Sequence, residues 1–277
     1  MRRTTPGLFE ELEPLIAAAG ARHPQWLVLI EPLREVASVA DDPVWDDAAG
    51  RATLPNRRDA DAPVLHGARL AAPAQLLAQL ITRVTAWSVS VTDAVTLIEG
   101  AIRADRRRID RIAFAADQDA AALATLADLA AMPLLQSCAR VHHARIPQHW
   151  SHGYCPVCGT WPVSAELVGI DRSRDLRCGR CAAGWRAPQL RCPYCGEQDH
   201  ERLGSLVPEA TRETRFIETC KSCGGYIKTF TTLTPAIGFE LTIKDLDSVE
   251  LDLAAIEQGF ARPAEPGFRL DVQLAAG

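Results

Sequence analysis

Near its start the chain has no apolar run long enough to cross a bilayer. The longest there is Trp26 to Ile30, against roughly 20 residues for a spanning helix. The pair Arg2-Arg3 has no apolar stretch behind it, so neither a secretory nor a twin-arginine leader is expected. A cytoplasmic location without membrane insertion follows as the expectation. Also missing are a phosphate-cradling glycine loop, a G-x-S-x-G elbow and an H-E-x-x-H helix. Their absence removes the motif-borne routes to nucleotide hydrolysis, serine hydrolysis and zinc proteolysis. Positive charge is not in excess. Residues 1–150 carry 16 basic and 18 acidic side chains, residues 151–230 carry 11 and 9, and residues 231–277 carry 3 and 8, for a net charge of −5. Aromatic residues make up only 6%, leaving few stacking platforms among the arginines. Both features speak against a polyanion binder.

What is present is enough apolar material for a folded core. The 277 residues are 47% hydrophobic, consistent with one large domain or two smaller ones. Apolar residues at helical spacing predict helices over 6–20, 26–40, 73–87 and 91–103, then one long helix over 106–132 that breaks near Pro133. Residues 41–68, rich in Pro, Gly and charge, read as loop. Beyond Pro147 the pattern changes to short apolar runs between Gly, Pro and Cys. Strands are expected at 163–170, 189–191, 202–207, 215–219 and 226–233. Leu246, Val249, Leu253 and Ile256 predict a single amphipathic helix over 245–258, followed by a Pro/Gly tail from Arg262. The fold class is α+β. A helical domain spans 1–147, a cysteine-bearing module of rubredoxin-like or zinc-ribbon type spans 148–235, and a C-terminal strand, helix and tail span 236–277.

Eight of the nine cysteines form four Cys-x-x-Cys pairs within 69 residues: Cys155/Cys158, Cys178/Cys181, Cys192/Cys195 and Cys220/Cys223. Two intervening residues let a tight turn aim both sulfurs at one ion. A glycine after the second cysteine permits positive φ and close approach, and turn N–H groups can donate to the thiolates. Two such knuckles complete a closed tetrahedral S₄ site. Nineteen residues separate the first two pairs, ten the middle two and twenty-four the last two. The spacing favours sequential pairing, with Cys155, Cys158, Cys178 and Cys181 in one site and Cys192, Cys195, Cys220 and Cys223 in the other. A cross-braced order uses the same ligands. In a cytosolic chain this pattern reads as metal binding, not as disulfides or a lone redox pair. Zinc and iron both suit S₄ geometry.

Other residues have blander readings. Cys138 sits in an Ala/Leu context and reads as a buried or half-buried thiol. His142, His143, His149 and His152 read as a solvated hinge, since eight thiols already close two sites. Trp161 and Trp185 read as apolar lids. Asp93, Glu99 and Asp105 have no nucleophile to serve.

The run Gly153 to Val163, the Cys178–Cys181 knuckle with Gly184-Trp185, the run Arg191 to Gly196, and the run Glu218 to Thr229 with its Tyr226 and Lys228 together resemble FdhE-type formate dehydrogenase accessory proteins. The acidic–apolar stretch from Asp245 to Phe260 is similar to that family's C-terminal helix. The motif match covers about 150–260. Over 1–145 only length and helical character agree. One departure is Ala182-Ala183 after the second knuckle, where the family more often has Gly and a polar residue, so positive φ there is less readily adopted.

The resemblance implies a helical N-terminal part, a rubredoxin-like module, iron bound in two rubredoxin-type sites, and a cytoplasmic protein that binds the molybdenum-containing catalytic subunit of respiratory formate dehydrogenase before cofactor completion or export. The expected role is a maturation factor and not an enzyme. The expected partner is that catalytic subunit, with a second copy of this chain as a further candidate. Two other readings stand beside it: a zinc-ribbon nucleic-acid binder, drawing on Arg172, Arg174, Arg177, Arg180 and Arg186, and a rubredoxin-like electron carrier.

Overall fold

The computed structural model describes residues 7–56, 59–208 and 214–276. The Arg2-Arg3 start lies outside them. The chain divides into two compact units, one of residues 1–59, 64–145 and 270–277, the other of 60–63 and 146–269. Residues 236–269 thus belong with the cysteine module, and the last eight with the helices.

The first unit contains α1 (Leu8–Arg22), α2 (Leu27–Ser38), α3 (Val44–Gly50), α4 (Ala74–Thr85), α5 (Val91–Arg103), α6 (Arg106–Ala115) and α7 (Ala120–Val141). Helix α7 is its axis and touches α2, α3, α4, α5 and α6. From Ala130 to Cys138 every residue of α7 is buried, as expected of a helix that is apolar all round. Of the described helices, α7 is long and apolar enough to cross a membrane, but 67% of its apolar window is buried inside the protein.

Three expectations are corrected here. The stretch 106–132 is two helices, because Asp117 adopts φ 53° and the Asp119 carboxylate caps α7 by accepting from the Ala122 N–H at 2.7 Å. Such a cap supplies one of the acceptors that a helix start needs. Pro133 does not break the chain; it lies inside α7. The ring costs a hydrogen bond and crowds the preceding turn, and tertiary burial on all sides holds the helix through. Within 41–68, α3 forms because Trp45, Ala48 and Ala49 are buried and the Trp45 indole N–H donates to the Val39 carbonyl at 2.7 Å. The far end of the chain adds a strand. Strand β8 (Gln273–Ala276) pairs in parallel with β1 (Arg69–Ala72). It is tied to α5 by Glu99, which accepts from the Leu274 N–H at 2.8 Å, and by Arg103, which donates to the Val272 carbonyl at 3.0 Å.

The second unit is a six-stranded sheet of β2 (Ser164–Val168), β3 (Ser173–Arg177), β4 (Gly184–Arg186), β5 (Leu203–Leu206), β6 (Arg215–Cys220) and β7 (Gly225–Thr232), in the order β4-β3-β2-β7-β6-β5. It consists of two antiparallel three-stranded ribbons, β2–β3–β4 and β5–β6–β7, joined by one parallel pair, β2 with β7. Each ribbon has one knuckle before its first strand and another between its second and third. The module is therefore a tandem of one motif. The expected strand at 189–191 does not form, and that segment runs as a bend leading to the third knuckle. Strands β3 and β4 arise where no strand was expected.

The expected helix over 245–258 is instead α8 (Glu240–Leu246) and α9 (Val249–Glu257), broken at Asp247–Ser248. Helix α9 packs on β6 and β7, burying Leu251 and Ala255 with Ile217 and Tyr226. Under these helices lies an ion cluster. Lys228 on β7 is fully buried. Its Nζ is 2.7 Å from Asp245 Oδ1 and 2.7 Å from Asp252 Oδ2. Arg262 reaches the same two carboxylates at 2.6 and 2.9 Å, and Tyr226 donates to Asp252 at 2.7 Å. Burial opposes ionisation of Asp245, but Arg262 and Lys228 outweigh it and hold its carboxyl below the usual range. A depressed carboxylate contributes stability above its unfolded pKa, about 3.9 for Asp, and loses it as pH falls through the folded value. Acid titration, followed by tryptophan fluorescence, should therefore release α8 and α9 only below about pH 4. In Asp245→Asn this acid dependence should weaken.

Candidate metal centres

All four knuckles have the same local build. In each, the first cysteine's carbonyl accepts from the N–H four residues on: Gly159 at 3.0 Å, Ala182 at 3.0 Å, Gly196 at 3.0 Å and Gly224 at 2.9 Å. In the first three, its N–H donates to the carbonyl five residues on: Thr160 at 2.8 Å, Ala183 at 2.9 Å and Glu197 at 2.8 Å. The fourth residue after the first cysteine has positive φ every time: 74° at Gly159, 60° at Ala182, 79° at Gly196 and 68° at Gly224. Ala182 is thus the strained member, since a Cβ in the left-handed region costs about 1 kcal/mol or more. Ala182→Gly should raise resistance to denaturant by about 0.5–1 kcal/mol, read from an unfolding curve followed at the tryptophans. No change would mean that the turn carries no strain.

Tertiary structure brings the knuckles together in sequential pairs. The sulfurs of Cys155, Cys158, Cys178 and Cys181 lie within 4.8 Å of one another, and so do those of Cys192, Cys195, Cys220 and Cys223. The first cluster has contacts of 3.4 Å for Cys155–Cys181 and 3.4 Å for Cys158–Cys178. In the second, Cys192–Cys223 and Cys195–Cys220 are both 3.7 Å apart. These separations rule out S–S bonds, which are about 2.05 Å long. Those of the second cluster match the edge of a tetrahedron, about 3.8 Å for metal–sulfur bonds of about 2.3 Å, and those of the first are slightly shorter. Four thiols at those spacings fit one thiophilic ion per cluster and leave no open position on it.

The thiols are electrostatically arranged for this. In the first cluster burial pushes Cys155 and Cys181 well above the ordinary thiol range. Burial also opposes ionisation of Cys178, but hydrogen bonds from Cys155, Cys158 and Cys181 overcome it and draw Cys178 well below that range. In the second cluster burial raises Cys192 strongly and Cys223 to about 11. Cys220 is lowered, because the Cys223 and Ser222 N–H groups donate to its sulfur against the effect of burial. Binding an ion would displace the protons of the raised thiols Cys155, Cys181, Cys192 and Cys223.

One residue not foreseen is Thr160, whose Oγ1 lies 3.2 Å from Cys158 Sγ and 3.3 Å from Cys178 Sγ. Its position in the next repeat holds Glu197, and no spacing rule marks either. Trp161 and Trp185 both lie in this unit. Trp185 is buried and donates to the His152 carbonyl at 3.2 Å, and Trp161 meets the Tyr194 ring edge-on at 5.4 Å.

The four histidines join neither thiol group. His142 lies 3.0 Å from the Ala49 carbonyl and His143 lies 3.1 Å from that of Arg140. His152 pairs with Asp61 at 2.8 Å. Cys138 is fully buried in α7 and its thiol is pushed up to about 12 by that burial. Two of the module's arginines are buried inside the sheet, and a third makes an exposed ion pair. Arg174 is buried against Glu218 at 2.7 Å, Arg177 against Glu166 at 3.4 Å, and Arg186 meets Asp175 at 3.0 Å. The acidic residues of the helical part have structural partners. Asp93 bonds the Ser90 cap of α5 and Asp105 caps α6, while Glu99 pairs with Arg108.

The fold and sites define a class: a helical protein that carries a tandem Cys₄ ribbon. No family model matches the chain. It is 32% identical over 120 residues to a protein named FdhE homolog from Aquifex aeolicus, a match covering 42% of this chain and 41% of that one. It is 33% identical over 112 residues to protein FdhE of Escherichia coli O127:H6, covering 39% and 35%. The matches thus span well under half the length of these curated relatives. The crystal structure of the FdhE protein from Pseudomonas aeruginosa has the same fold, with a TM-score of 0.59 at 22% identity over 99% of each chain. The chain is thus similar to FdhE proteins in sequence over part of its length and shares the fold of one of them over nearly all of it.

Proposed function

We propose that this protein is an accessory factor in the maturation of formate dehydrogenase, acting without catalysis of its own by binding the enzyme's molybdenum-containing catalytic subunit in the cytoplasm before cofactor completion or export. The observation that carries the reading is the pair of closed S₄ clusters in a chain related to FdhE proteins. Closed sites leave no position for a substrate or an activated water, so they support structure or electron transfer over hydrolysis. All eight knuckle cysteines are the metal ligands in this reading. Iron in rubredoxin fashion is the expected ion and zinc the alternative. A redox role requires iron, because zinc has no accessible second state.

The test is affinity capture of the tagged chain from anaerobic extract, paired with formate dehydrogenase activity in a deletion strain. Recovery of the catalytic subunit and loss of activity are expected. An active dehydrogenase in the deletion strain, with no molybdoenzyme subunit captured, would sink the proposal. Metal analysis and a visible spectrum of anaerobically purified protein separate iron from zinc. The nucleic-acid reading loses support from the burial of Arg174 and Arg177 within the sheet.

A further inference from the structure

The two clusters have the same ligands and the same local turns, yet they differ in access. Cys155, Cys158, Cys178 and Cys181 are all at most 2% exposed. In the second cluster Cys192 and Cys220 are buried, whereas Cys195 and Cys223 are exposed. The glycines at matching turn positions give an independent measure. A Cβ on Gly159 would meet the Phe268 carbonyl oxygen at 2.6 Å, so the tail segment lies directly on that turn. The tail also bonds a turn of each cluster, Phe268 N–H to the Gly159 carbonyl at 2.8 Å and Ala261 N–H to the Gly224 carbonyl at 2.9 Å, so the two differ in the clearance around the turn and not in the presence of the tail. Among the described residues a Cβ on Gly224 would meet nothing within 4 Å, and one on Gly196 only the Arg191 side chain, at 3.6 Å or more. The first cluster is sealed at all four sulfurs, and the second is open at Cys195 and Cys223.

We infer that the second cluster is an exchangeable metal site, taking up and releasing its ion through Cys195 and Cys223, while the first holds its ion as a permanent brace. The inference rests on the reading of both clusters as metal centres. Exchange at a tetrathiolate ion is ligand substitution. A metal–Sγ bond breaks as a bond to an incoming donor forms, and the released thiolate takes a proton from water, with no change of oxidation state. The incoming donor must touch the ion or its ligands, so access sets the rate. At the second cluster two of the four sulfurs offer that contact in the folded protein. At the first cluster none does, and exchange waits on local opening of the ribbon. The donors suited to the task are thiolate or nitrogen ligands of a small metal carrier, or a cysteine-bearing segment of a partner.

The test uses the full chain loaded with zinc and mixed with excess 4-(2-pyridylazo)resorcinol. Two phases of equal amplitude are expected, the first faster by about tenfold or more. Cys223→Ser should remove the fast phase and leave the slow one. Brief iodoacetamide treatment of the unaltered protein, mapped by mass spectrometry, should label Cys195 and Cys223 ahead of the other six knuckle cysteines; this arm does not depend on any variant folding. Release of both ions in one phase, a fast phase that survives Cys223→Ser, or first labelling within the first cluster would each overturn the inference. A chain that binds no ion at all would instead overturn the reading of the clusters as metal centres, and the inference with it.

Discussion

Lys228→Met should destabilise the cysteine-bearing unit by about 3–5 kcal/mol, the cost of breaking a buried ion pair by deleting one partner. Lys228 has no exposed surface and sits between two carboxylates, Asp245 and Asp252. Arg262 serves the same two groups. The cluster is therefore two cations against two anions. Removing one cation leaves Arg262 facing a surplus negative charge, next to the apolar packing of Ile217, Tyr226, Leu251 and Ala255. Lys228 also donates to the Asp245 carbonyl at 2.6 Å, so the substitution frees a backbone acceptor at the end of α8. Urea unfolding followed by tryptophan fluorescence reads the loss. Adding Asp252→Asn should restore part of it, because Arg262 and Asp245 then balance one to one. A loss under about 1 kcal/mol, typical of an exposed pair, would show that water screens the cluster.

Removing the metal should unfold the ribbon unit and spare the helical one. Ions in structural Cys₄ sites contribute on the order of 10–16 kcal/mol, as much as or more than the roughly 5–15 kcal/mol net stability of a typical domain. The ribbon's strands are short, and β4 has only three residues, so little besides the knuckles sets their ends. The helical unit owes nothing to thiolates; its core is Trp45, Leu77, Leu80, Leu97, Ile98 and the body of α7. Cys178→Ser should act like chelation at the first cluster, because Cys178 lies at the centre of its hydrogen bonds. One metal equivalent should be lost, together with the native fluorescence of Trp150, Trp161 and Trp185. Most of the helical circular dichroism should remain. Retention of the ribbon's fluorescence in metal-free protein would show that packing alone supports the sheet.

The legible features were those whose signal is local. Amphipathic spacing marked α2, α4 and α5 to within a few residues, because one apolar face suffices to recognise a helix. The knuckles were legible for a similar reason, since the turn that converges two sulfurs is built from adjacent residues. Errors came where a tertiary contact overrides a local preference. Pro133 lies within α7 because burial outweighs a lost hydrogen bond, and α3 forms around a Trp45 that no periodicity announces. The split of 106–132 was written in Asp117 and Asp119, but the continuous apolar pattern masked it. Strand β3, Ser-Arg-Asp-Leu-Arg, resembles a charged loop; its arginines are strand residues because Glu218 and Glu166 wait for them across the sheet.

By itself the sequence determined the chemistry of the four Cys-x-x-Cys knuckles, because ligand type and turn geometry are properties of five or six consecutive residues. It also determined the helical character of the first part, which follows from periodicity. Tertiary structure selected the sequential pairing that the spacing favoured over a cross-braced one, and it alone arranged the knuckles in a tandem of two ribbons. It decided that Lys228 closes an ion cluster under α8 and α9, and that one thiol cluster is sealed beneath Phe268 while the other leaves Cys195 and Cys223 exposed. Those outcomes depend on which distant segments meet, and a tail residue such as Phe268 bears no local mark of the turn it will cover more than one hundred residues away.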